Sequence, residues 1–207
     1  MIKLTKYYLF LHNRKSNQTK KENDMKHAKL IFLALVAVLV FAQWNGTAHA
    51  ASAAGIDADA DAALNKLYEE QPVAKMLAEK AAAVLIFPNM VKAGFVVGAQ
   101  YGEGSLRKKG KTVGYYNSIA GSYGLQAGAQ SFGYVLFLMT DSAVKYLDRS
   151  AGWEIGVGPS IVVVDEGIAR TLTTTTLKND VYAFIFDQKG LMAGIGLQGS
   201  KITKIHK

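Results

Sequence analysis

Glycine spacing constrains this chain more than any other feature. Four stretches share one form: Gly94-Phe-Val-Val-Gly98, Gly124-Leu-Gln-Ala-Gly128, Gly152-Trp-Glu-Ile-Gly156 and Gly190-Leu-Met-Ala-Gly194. Residues four apart in an extended strand project from the same face, so each stretch is bare on one side. Gly102 and Gly104 continue the first row, Gly158 the third and Gly196 the fourth. The opposite parity holds bulk, including Phe95, Val97, Tyr101, Leu125, Trp153, Ile155, Leu191 and Ile195. Each strand glycine costs ~0.5–1 kcal/mol in chain entropy. A cost repeated over four strands implies that something approaches the bare face closely, a helix or a second sheet. The same spacing occurs in paired membrane helices, but Tyr101, Gln126 and Glu154 interrupt these short segments and they cannot span a bilayer.

Helical periodicity precedes this region. Leu64, Leu67 and Tyr68 mark an amphipathic helix with Asp57, Asp59 and Asp61 at its expected start, the positive end of the dipole. The Asp-x-Asp-x-Asp spacing lacks the glycine at the sixth position and the glutamate at the twelfth that a calcium loop needs. Pro72 suits the first turn of a second helix, with Val73, Met76, Leu77, Ala81 and Val84 on one face and Lys75, Glu79 and Lys80 turned away. A further helix is expected after Thr140-Asp141, with Val144 and Leu147 at helical spacing. Residues 161–164 and 181–186 read as apolar strands, closed by Asp165-Glu166-Gly167 and Asp187-Gln188-Lys189-Gly190 as turns. The expected fold is therefore α+β: N-terminal amphipathic helices, then a glycine-rich, mostly antiparallel curved β-sheet or sandwich with one inserted helix.

The first fifty residues have a different character. Thirteen apolar residues, 30–42, follow Lys26, His27 and Lys29 and precede Ala48-His49-Ala50. Such a run is shorter than the ~20 residues of a bilayer span. A basic start, a short apolar core and a small-x-small site describe a secretory signal peptide over 25–50, cleaved after Ala50. Residues 1–24 then read as an upstream extension or a long n-region, and 51–207 as a single domain. Export to a periplasmic or extracellular space, with peripheral attachment to a membrane, is the expected location.

Charge follows the same division. The chain carries +8, of which residues 1–50 hold +6 and the remaining 157 residues +2. A broadly basic nucleic-acid-binding domain is not supported, and no nucleic-acid partner is expected. The chain has no cysteine, which removes disulfides, thiol nucleophiles, Cys-ligated metals and a diacylglyceryl anchor. His12, His27 and His49 lie in the leader and His206 is penultimate, so a Ser-His-Asp triad and a histidine metal site lack their residues. Gly194-Ile-Gly196-Leu-Gln-Gly199 spells a dinucleotide fingerprint, but only eight residues follow and no crossover helix fits. Glu103, Glu154, Asp165 and Glu166 are the carboxylates a glycan-cleaving pair would need, and their places near glycines and turns are ordinary for solvated charge. No enzyme, cofactor or metal is expected.

Two basic clusters remain. Arg107-Lys108-Lys109-Gly110-Lys111 joins two strands as an exposed hairpin, and Lys201, Lys204, His206 and Lys207 alternate with Ile202 and Ile205. Each cation near an anionic bilayer contributes ~1 kcal/mol, so four together give roughly a thousandfold before salt screening.

Taken in order, these segments resemble the SYLF domain family. The likeness rests on Ile86-Phe87-Pro88, on Lys92-Ala-Gly94 through Gly104, and on Gly121-Ser122-Tyr-Gly124-Leu-Gln126-Ala-Gly128. It continues through Gly156-Val-Gly158-Pro159, Tyr182, Lys189-Gly190-Leu-Met-Ala-Gly194 and Leu197-Gln-Gly199, covering about residues 57–205. The resemblance implies a non-enzymatic module that binds membrane lipid, with phosphoinositide and actin binding in eukaryotic members. For an exported protein the transferable ligand is anionic phospholipid. In the family an N-terminal amphipathic helix and a basic surface make the contact. Here the opening helix is acidic, which shifts the expected contact toward the hairpin. The expected lipid-binding residues are Arg107, Lys108, Lys109 and Lys111, with Lys75 and Lys80 on residues 57–83, whose apolar face would touch the bilayer. The alternative is an envelope structural or protein-interaction module that docks a partner on its glycine face.

Overall fold

Among the described residues the first helix is α1 (Ala53–Glu70), eighteen residues long, and Ser52 caps it by accepting from the Gly55 amide at 3.1 Å. The cap falls a turn earlier than the aspartates suggested, so Asp57 and Asp61 stand inside the helix and do not serve its dipole. After Gln71 comes α2 (Pro72–Lys80), with Pro72 in its first turn where a missing amide hydrogen costs nothing. The computed structural model describes residues 51–149, 152–173, 175–190 and 199–207. The leader with its proposed signal peptide, and residues 191–198 with most of the fourth glycine row and the dinucleotide-like spacing, lie outside the described residues.

Two long strands dominate the sheet. β1 (Ala83–Lys108) and β2 (Lys111–Leu138) pair antiparallel from Ala83↔Leu138 to Lys108↔Lys111. Bulges between Phe87 and Met90, and between Phe95 and Val97, re-aim β1 and let so long a hairpin curl. After β2 comes α3 (Asp141–Leu147), with the Thr140 hydroxyl accepting from the Ala143 amide at 3.2 Å. Then come β3 (Trp153–Glu154), β4 (Ile161–Val163), α4 (Glu166–Thr171), β5 (Val181–Gly190) and β6 (Lys201–Ile205). The sheet runs β3-β6-β2-β5-β4 with β1 on β2, and β4 lies parallel to β5 while the other pairs are antiparallel. The fold is thus α+β around a curled mixed sheet.

Two expected turns have other structures. Residues 187–190 continue β5, and Asp187, at φ 51°, sits beside the bulge where the β2–β5 register shifts. Asp165 is an N-cap, accepting from the Ile168 amide at 2.8 Å, and it starts α4 where a plain turn was expected.

Strand alternation divides the sheet between two cores. Leu85, Phe87, Tyr134, Leu136, Val181 and Ala183 face the inside of the curl, where Trp153, Leu147 and Ile202 join them. Val84, Ile86, Val135, Phe137, Tyr182 and Phe184 face outward beneath Ala60, Leu67, Ala74 and Leu77 of the first two helices. Aromatic pairs occur on each side: Phe87 stacks on Tyr134 at 5.7 Å, and Phe137 meets Phe184 edge-on at 5.5 Å. Residues Ala51–Lys207 form one compact unit that includes both cores.

The first glycine row has a different neighbour from the one expected. Gly98, Gly102 and Gly104 are buried. A Cβ on Gly104 would collide with the Ile86 backbone and the Phe87 ring, and one on Gly102 with the Met90 side chain and the Asn89 carbonyl. At these two positions the close neighbour is the first half of β1 itself, where a helix or a second sheet was expected. The bulky parity consequently faces out: Val97, Tyr101 and Ile119 are 63%, 47% and 49% exposed.

Candidate functional site

The basic hairpin is built by its turn. Lys109 and Gly110 both have positive φ, 50° and 76°, which is the two-residue connection that matches strand twist. Lys108, Lys109 and Lys111 are exposed around it. Arg107 behaves differently. Its Nη1 lies 2.8 Å from the Asp61 carboxylate and its Nη2 donates to the Asp57 carbonyl at 3.0 Å, with an Asp57 carboxylate oxygen 3.5 Å away. Only 14% of the Arg107 side chain is exposed, and its Nε is buried without an acceptor among the described residues.

Asp57 is the centre of this junction. Besides Arg107 it accepts from Thr112 at 2.8 Å and from the Tyr115 hydroxyl at 2.9 Å, so one helical carboxylate holds both strands of the hairpin. Burial, then the bond to Asp57, pushes the Tyr115 hydroxyl above its ordinary value. Asp57 and Asp61 are one turn apart on α1 and therefore share a face. The charge of Arg107 is committed inside the protein, which corrects its expected place among headgroup-facing cations. Lys108 has a longer-range neighbour in Asp141 at 3.8 Å, with both side chains open to water.

A cleft of about 510 Å³ opens between the two N-terminal helices and the hairpin. Leu64, Tyr68, Ala78, Ala81 and Val84 give it apolar walls, and Lys75, Arg107, Lys109, Asp61 and Glu79 supply charge. Burial raises the Tyr68 hydroxyl above its ordinary range, consistent with a ring held against those walls. Three of the six expected residues, Lys75, Arg107 and Lys109, thus line one cavity. Lys108 and Lys111 lie beyond it on the hairpin, and Lys80 is exposed at the end of α2. No ion pair engages Lys75, Lys80, Lys109 or Lys111 among the described residues.

The helices contribute less free apolar surface than expected. Ile56, Ala60, Leu67, Ala74 and Leu77 are buried, so the apolar face over residues 57–83 is occupied by the protein's own sheet. What remains accessible is the half-buried set at the cleft. Gly98, Gly102 and Gly104 of the first row are buried too, which removes that stretch as a partner's docking surface. Sequence reasoning missed the cleft, because it forms where residues 61–84 meet residues 107–110. Asp57 and Asp61 one helical turn apart, with an arginine beside the hairpin turn, were the available signal.

Among the described residues no group of three or more His, Asp or Glu side chains is placed to hold a metal, and no helix is long and apolar enough to cross a membrane. Glu103 is tied to Lys207 at 2.7 Å and to the Tyr101 hydroxyl at 2.8 Å.

A curled α+β sheet with an amphipathic cleft beneath its basic hairpin defines a small binding domain. Residues 119–207 match the family model Ysc84, described as Las17-binding protein actin regulator. That model corresponds to the SYLF family, which the sequence resembles, and the match covers residues 119–207. The matched stretch starts within β2 and contains neither the basic turn of the hairpin nor the cleft residues. No curated protein matches the chain.

Proposed function

We propose that this protein is a non-enzymatic module of the cell envelope that associates with anionic phospholipid at a membrane surface. The observation that carries this reading is the tip of the long hairpin, where Lys108, Lys109 and Lys111 are exposed and lie next to the apolar-walled cleft that Lys75 borders. Three cations at ~1 kcal/mol each give on the order of a hundredfold preference for an anionic surface over a neutral one. Export by the signal peptide would bring the domain to that surface. Likeness over residues 119–207 to the family described as Las17-binding protein actin regulator, together with the resemblance to SYLF domains, supports a binding role.

Co-sedimentation of the unit Ala51–Lys207 with vesicles of phosphatidylglycerol in phosphatidylcholine tests the proposal. Binding should fall steeply with salt and be lost when Lys108, Lys109 and Lys111 become Glu. Arg107 is left intact in that variant, because it secures α1. Absence of binding at low salt, or equal binding by the triple variant, overturns the reading.

The outward face of the hairpin supports a second reading, a protein-interaction surface. Val97, Tyr101 and Ile119 are exposed together, with Tyr101 directly opposite Ile119 in register. Enrichment of one envelope protein that disappears with Tyr101→Lys, with no lipid retained, would favour it.

A further inference from the structure

We infer that the cleft between α1, α2 and the hairpin takes one single-chain anionic amphiphile, its headgroup at Lys75 and Lys109 and its chain along Leu64, Tyr68, Ala78 and Val84. This rests on the reading that the hairpin face meets anionic lipid, and it adds a stoichiometric site for one molecule to a diffuse surface attraction. Size comes first. At about 510 Å³ the cleft lies within the ~300–1,000 Å³ range of sites that enclose a small ligand. One acyl chain fits that scale, and a patch of bilayer does not.

Charge comes second. Asp61 and Arg107 are paired at 2.8 Å and cancel, which leaves Lys75 and Lys109 against the single carboxylate of Glu79. Neither lysine is engaged in an ion pair among the described residues, so both ammonium groups are available to an incoming anion. The lining combines charged groups with an apolar wall, which is the arrangement that recognises an amphiphile. An anion lacking a chain would forgo the wall, and a chain with a neutral head would forgo the lysines.

Native mass spectrometry and tryptophan or tyrosine fluorescence on the unit Ala51–Lys207 test this with palmitoyl-lysophosphatidylglycerol below its micelle-forming concentration. One molecule per chain is expected. Glycerophosphate should not displace it, and palmitoyl-lysophosphatidylcholine should bind about tenfold or more weakly. Ala78→Trp, which fills the cleft from the half-buried face of α2, should abolish the adduct while leaving vesicle binding by the hairpin lysines intact. Lys75→Glu, at an exposed position that does not threaten folding, should weaken the adduct, and Glu79→Gln should tighten it.

Failure to form a one-to-one adduct overturns the inference, as does an adduct that persists unchanged in both Ala78→Trp and Lys75→Glu. Vesicle binding without an adduct leaves the surface reading standing and sinks the cleft. An adduct without vesicle binding does the reverse.

Discussion

Single glycines separate backbone need from packing need in this protein. Gly104 is held by space: its missing Cβ is where the Ile86 backbone passes, and backbone cannot step aside as a side-chain end can. Gly104→Ala should therefore cost about 1–3 kcal/mol in urea unfolding, the range of an overpacked core. Gly121 has nothing within 4 Å of a Cβ, so Gly121→Ala should be neutral or stabilising by up to ~1 kcal/mol. Equal effects at the two positions would refute the self-packing of β1. Lys109 presents the opposite case, a side chain in the left-handed region where asparagine is favoured. Lys109→Asn should raise the midpoint of thermal unfolding while weakening attachment to anionic vesicles, which separates stability from binding at one residue.

The junction of α1 with the hairpin is the element-scale feature that sequence left hidden. Asp57 and Asp61 lie fifty and forty-six positions from Arg107, and nothing in local periodicity joins them. A double-mutant cycle on Asp57→Ala and Arg107→Ala should return a coupling of about 0.5–3 kcal/mol, because each variant leaves the other's polar groups partly buried. Additive losses would mean that the contact does not hold the helix. Much else at this scale was legible. Lys109-Gly110 announces a tight turn and Thr140-Asp141 a cap, whereas Val84, expected on the apolar face of the second helix, stands in β1 because α2 ends at Lys80. The bare row of Gly98, Gly102 and Gly104 announced close approach, but not from which segment. Curling is set by the bulges near Phe87 and Phe95, which have no periodic signature. The same limit explains Arg107: a basic run reads as a solvated tip until its register shows that one member points back toward the helix. The remaining lysines kept their expected exposure because they flank the turn itself.

At the scale of the whole molecule, Lys207 is fastened to β1 near the turn end of the long hairpin. Lys207 and Glu103 meet at 2.7 Å with side chains only 10% and 16% exposed, and Tyr101 donates to the same carboxylate. Burial by itself would raise the Glu103 carboxyl. The bonds from Lys207 and Tyr101, with the Lys207 charge, outweigh it, so Glu103 titrates below its ordinary value of 4.5. A carboxyl that is depressed in the folded state binds fewer protons there than in the unfolded chain. Its stabilisation is complete above about 4.5 and is lost as pH falls through the folded-state value. Asp187, held down by its bonds to Lys66 and Lys189, contributes in the same direction, so the wild-type slope alone does not isolate the Glu103 tie. Glu103→Gln does. Urea unfolding of the two proteins should show a deficit for the variant near neutral pH that narrows steadily below pH ~4.5, as the wild type loses the interaction the variant never had. A deficit independent of pH would assign the loss to packing around residue 103. No deficit at all would mean that Lys207 does not fasten the C-terminal strand to the sheet.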